Sequence, residues 1–238
     1  MVGDGLQDRQ LQRSAAPLND RLRLSLVAAA LPVPLAIGLG LGYQELIPGT
    51  AYGVVGKNFS YGLASLFVIG GVYALFSPAA RAVAFRFDRP RKDELAWALL
   101  GFPIGTALYL GATAATEAAG LTMRGYEYTL SDPLTIAAVV FGAVLVSPLA
   151  EEILFRGMVL GSLLGRGIHP VVAGGLAILA FGLIHVALLG IAGVLTMCAW
   201  AIVSTAIRLR FDNLSGAWLV HQLNNLWGYI VVVAFGLG

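Results

Sequence analysis

The stretch LTIAAVVFGAVLVSPLAEEILFRGMVLGSLLG, residues 134–165, holds three charged side chains in an otherwise apolar run: Glu151, Glu152 and Arg156. Spanning the hydrocarbon of a bilayer takes about 20 apolar residues. This run is longer, so it reads as a transmembrane helix that tilts, bends at Pro148 or emerges past the interface. An ionised side chain at the bilayer centre costs roughly 2.5–3.5 kcal/mol on insertion scales. Two acids and a base at that depth point to use.

The rest of the chain agrees with a membrane setting. Of its 238 residues, 58% are apolar and 12% charged, where soluble domains carry about 25% charged residues. The mean hydropathy is +0.82. The expected fold is all-α: a polytopic transmembrane helix bundle, multi-pass in the cell membrane, with lipids around it. Candidate spans are 24–42, 59–77, 95–115, 134–165, 170–188, 192–208 and 213–236, about seven, within a range of six to eight. The apolar stretch from Val171 to Ile207 is too long for one crossing and is expected to break near Gly190–Gly193, where glycine lowers helix propensity. Three segments follow: a polar N-terminal segment 1–23, N-terminal spans with an interfacial loop over 24–133, and a core over 134–238. Residues 24–41 are longer than the apolar part of a signal peptide, about 7–15 residues, and read as a retained first span.

Charge and cysteine content exclude several classes. A net charge of +2, without a basic stretch interleaved with aromatics, gives no sign of a nucleic-acid partner. The single cysteine, Cys198, excludes an intramolecular disulfide and reads as a packing residue. Arginines concentrate in the N-terminal segment, in 81–91 and in 208–210, which predicts a cytoplasmic N-terminus. Segment 78–94 is expected at the interface, with its arginines on lipid headgroups or in a solvated loop. Gly157, Gly161 and Gly165 repeat every four residues down one face, a spacing that lets helix backbones approach closely.

Two more polar pairs repeat the spacing of four that keeps side chains on one helix face: Phe181/His185 and His221/Asn225. Glu152 and Arg156 share a face and can neutralise each other. Glu151, rotated about 100° away, is left for another task. Counted from the turn near Gly167, Glu151 and His185 lie at similar heights, about 25 Å from it. His221 and Asn225 come within a turn or two of that level.

The residue types suggest hydrolysis. A desolvated carboxylate among apolar helices suits a general base, so Glu151 with His185 is placed to hold and deprotonate a water. His221 and Asn225 offer N–H donors to the oxyanion that forms when water attacks an amide carbonyl. The expected substrate is a peptide or a membrane protein. Each residue alone has a plainer reading: His185 bonded to a helix carbonyl, Phe181 packed beside it, Asn225 bridging helices, Glu152 and Arg156 as a structural pair, His169 as a connector. The combination favours a site. Two alternatives stand beside it. One is a zinc hydrolase with Glu151, His185 and His221 as ligands, although the HExxH signature is missing; the other is a non-catalytic membrane partner, an immunity or regulatory protein.

These residues resemble the three motifs of the CPBP intramembrane protease family (CAAX proteases and bacteriocin-processing proteins): EExxxR at 151–156, FxxxH at 181–185 and HxxxN at 221–225. The resemblance covers about 134–228. It implies a glutamate-type endopeptidase without an obligatory metal. Glu151 would be the base, His185 its partner on the water, and His221 with Asn225 the oxyanion site. Glu152, Arg156 and Phe181 would support that geometry.

Overall fold

The computed structural model describes residues 4–46, 53–125 and 127–236. Residues 1–3, 47–52, 126 and 237–238, which fall within the three expected segments, lie outside the described residues. The described chain is helical: α1 (Asp4–Ala15), α2 (Leu22–Glu45), α3 (Val54–Leu75), α4 (Pro78–Ala84), α5 (Lys92–Ala118), α6 (Pro133–Gly165), α7 (Pro170–Ile184), α8 (Val186–Phe211) and α9, helical from Ser215 through Phe235. By length and composition, α2, α3, α5, α6 and α8 are long and apolar enough to cross a membrane. Two other expected crossings differ. α7 is an apolar helix of 15 residues, and α9 falls outside that set of five.

Local chemistry sets where helices begin. Ser77, Asp132 and His169 each precede a proline, and each accepts a backbone N–H in the first turn that follows. A side-chain acceptor satisfies one of the orphan N–H groups there, and proline at the first position has no N–H to satisfy. Asp132 Oδ2 takes both the Thr135 N–H, at 2.8 Å, and its hydroxyl, at 3.0 Å. These bonds hold the exposed carboxyl below the usual aspartate range. The cap therefore persists through that range and is lost only as pH falls through the lowered value beneath it. The expected break after α7 falls at His185, the residue that caps its C-terminus, and again at Gly190, whose φ of 74° belongs to the left-handed region that glycine occupies freely.

α6 is the most buried of the five long helices; α2 and α3 pack on it, while α5 packs on α8 and α9. Its glycine face receives polypeptide from elsewhere in the chain. A Cβ at Gly157 would collide with the Ala84 carbonyl oxygen of α4, and one at Gly165 would lie 2.5 Å from the Ala15 carbonyl oxygen of α1. Segment 78–84 is thus a helix that buries Ala80, Val83 and Ala84. Its neighbouring arginines meet protein groups. Arg81 stacks on Tyr73, Arg86 pairs with Asp212, and Arg91 bonds Asp93. The N-terminal segment docks on the same end: Gln12 donates to the Gly167 carbonyl at 3.0 Å and Ser14 to Asp212 at 2.8 Å. Large apolar side chains such as Leu99, Leu100, Val171, Leu176 and Leu179 stay exposed on the outer faces. That distribution suits a surface covered by lipid.

Candidate active site

The site begins with a defect in α6. Pro148 has no N–H for the carbonyl of Val144, four residues back, and a regular helix would drive its ring into that carbonyl. The helix relieves the conflict by widening into a π-helical turn over Val140–Val146, where the Ser147 N–H bonds to the Gly142 carbonyl. Two carbonyls, Ala143 and Val144, are thereby freed. Both are answered by α9: Asn225 Nδ2 donates to Ala143 at 2.9 Å and Gln222 Nε2 to Val144 at 2.6 Å. A second π segment, Glu152–Val159, follows. Glu151 ends the short α-helical join between these widened turns, and Glu152 opens the second of them.

The carboxylates have different partners. Glu152 is fully buried, with Oε1 3.2 Å from Arg156 Nη1 and 2.8 Å from His221 Nδ1. Arg156 also donates to Thr205 Oγ1 and to the Ala201 carbonyl of α8, and its guanidinium lies 4.5 Å above the Phe181 ring. Glu151 is 4% exposed and meets no lysine or arginine within salt-bridge distance among the described residues. Its Oε1 accepts from the Ser147 hydroxyl at 2.6 Å and from the Tyr61 hydroxyl at 2.9 Å. Its Oε2 lies 3.6 Å from His221 Nε2. His221 therefore spans the two acids.

His185, half-buried at the end of α7, places Nδ1 2.8 Å from the Phe181 carbonyl. A carbonyl can only accept, so Nδ1 carries a proton and Nε2 in the neutral ring is an acceptor. The ring lies within electrostatic range of both Glu151 and His221. Phe181 meets His185 at 4.8 Å and His221 at 6.1 Å between centroids, and Trp200 covers His221 at 4.5 Å. Beside these rings lies an apolar cavity of about 340 Å³, lined by residues of α2 and α7 together with Phe155, which meets Phe181 edge-on.

Glu151, Glu152, Arg156, Phe181, His185, His221 and Asn225 thus come from three helices to one buried region. Two details differ from the sequence expectation. His221 already faces a carboxylate at each ring nitrogen, and Asn225 uses one amide N–H on Ala143. Sequence reading passed over Tyr61, Ser147, Thr205, Trp200 and Gln222. Ser147 was within reach, since it stands four residues before Glu151. Tyr61, Thr205 and Trp200 lie on helices that carry no motif, and Gln222 stands beside His221 inside the third motif. Among the described residues, no group of three His, Cys, Asp or Glu side chains is placed to hold a metal ion.

Residues 133–227 match the family model described as type II CAAX prenyl endopeptidase, Rce1-like. The match takes in α6 to the start of the last turns of α9, with every motif residue above; α1 to α5 lie outside it. The chain matches no curated protein and no solved structure.

Proposed function

We propose, from the match of residues 133–227 to the Rce1-like CAAX prenyl endopeptidase model, that this membrane protein is a glutamate-type intramembrane endopeptidase with Glu151 as its base. The observation that carries this reading is the contrast between the acids. Glu152 is held by Arg156 and His221, whereas Glu151 keeps a carboxylate oxygen towards His221 without, among the described residues, a guanidinium or ammonium partner.

In the proposed reaction a water donates one O–H to Glu151 Oε2 and the other to the bare Nε2 of His185. Its lone pair is then free to attack the scissile carbonyl carbon while Glu151 takes the proton. The second N–H of Asn225 is the proposed donor to the oxygen that becomes negative. His221 keeps Nδ1–H on Glu152, and its Nε2, 3.6 Å from Glu151 Oε2, would be the second donor. Collapse of the tetrahedral intermediate breaks the C–N bond, and Glu151 returns its proton to the leaving amine. Glu152 and Arg156 hold His221 in place.

The test is Glu151→Gln in protein reconstituted in lipid nanodiscs, with a quenched peptide carrying a farnesylated cysteine and three further residues. Cleavage should fall at least about 10²-fold with expression and thermal stability retained. Turnover equal to the wild type removes the mechanism. A comparison of membrane peptides from cells making either form tests the same claim without a chosen substrate.

A further inference from the structure

We infer that Tyr61 of α3, outside the family match, is a positioning residue for the base, and that it acts with Ser147 to lock one oxygen of Glu151 so that proton transfer runs through the other. This rests on the function proposed above. Both hydroxyls converge on Oε1, at 2.9 Å and 2.6 Å. Oε2 keeps its lone pairs on the side of His221. A carboxylate held at one oxygen by two donors from different helices cannot swing about its terminal torsion without breaking a buried hydrogen bond. Its remaining oxygen is therefore presented to water in a fixed direction, the preorganisation that proton transfer needs.

The placement of Tyr61 is built into the packing of α3 on α6. A Cβ at Gly142 would collide with the backbone of Asn58, and one at Gly62 would lie 2.6 Å from the Phe141 ring. The two helices thus meet backbone to backbone beside the π turn. That contact lies one helical turn before Ser147, so the α3 residue flanked by Asn58 and Gly62 is carried to the carboxylate. Phenylalanine at position 61 keeps the ring and loses the hydroxyl alone.

Infrared difference spectra of purified protein in nanodiscs, wild type minus Glu151→Gln, isolate the Glu151 carboxylate band and need no substrate. Tyr61→Phe and Ser147→Ala should each shift that band, while Tyr109→Phe, in α5, should leave it in place. With the farnesylated peptide, Tyr61→Phe should lower kcat about 10- to 100-fold, the loss of one hydrogen bond to a charged group, with KM within twofold. In the Glu151→Gln background the same change should add nothing. A band that does not move, or a moved band with unchanged kcat, overturns the inference and leaves Glu151 as base. Wild-type turnover by Glu151→Gln overturns the base and the lock together. Should Tyr61→Phe fail to insert, Ser147→Ala reads the same oxygen.

Discussion

At the scale of the residue, adjacent glutamates differ because of where each partner sits. Glu152 and Arg156 are 0% and 1% exposed and share Oε1 with His221. Removing one member of a buried pair strands the other, a cost of about 3–5 kcal/mol, whereas replacing both is often neutral. Arg156→Met is therefore expected to lower the unfolding temperature in nanodiscs sharply. Adding Glu152→Gln should restore most of it without restoring cleavage, because His221 would still lack its carboxylate. Equal thermal stability of Arg156→Met and wild type would show that the ion pair carries no structural load. The pairing of Glu152 with Arg156 was legible from their spacing of four. The role of His221 between two acids was not, since its reach depends on how α9 is rotated against α6.

At the scale of the element, a proline does the positioning. Pro148 frees the Ala143 and Val144 carbonyls, and α9 is drawn to them through Asn225 and Gln222. Pro148→Ala returns an N–H to the ladder and allows the π turn to close. The expected outcome is a protein at least as stable as the wild type but with cleavage reduced tenfold or more, because the Asn225 amide loses its anchor. Full activity in that variant would mean that α9 is positioned by packing alone. The sequence marked Pro148 as a bend; it did not show the repair. A local rule announces that a helix must deform, and distant residues determine which deformation is satisfied. The same holds after α7, where glycine marked a break near 190 and the structure adds a second one at His185.

At the scale of the whole molecule, small residues determine which segments touch. Gly157 lies against the Ala84 carbonyl, and a side chain there must push α4 off the helix that carries the glutamates. Gly157→Ala should cost about 1–3 kcal/mol through overpacking and lower cleavage with it. Gly70, inside α3 with open space around its Cα, is the contrast. Gly70→Ala should be neutral or stabilising by about 0.5–1 kcal/mol, because alanine suits a helix interior better. Thermal unfolding of the two variants side by side checks both, and similar shifts would dismiss the glycine face as a packing surface. The same packing gives the N-terminal helices a part in the site, since α3 supplies Tyr61 although its sequence carries no motif.

The sequence by itself determined the membrane setting, the helical class, the break near residue 190 and the side chains that share a helix face. Those properties follow from composition and from a period of 3.6 residues, both local to the chain. Only the tertiary structure decided that one imidazole spans both acids, that α9 answers the carbonyls Pro148 releases, and that a tyrosine 90 positions from Glu151 closes on it. Such contacts depend on the rotation and height of one helix against another. Those are set where backbones touch at Gly142, Gly157 and Gly165, and no periodicity within a single helix encodes them.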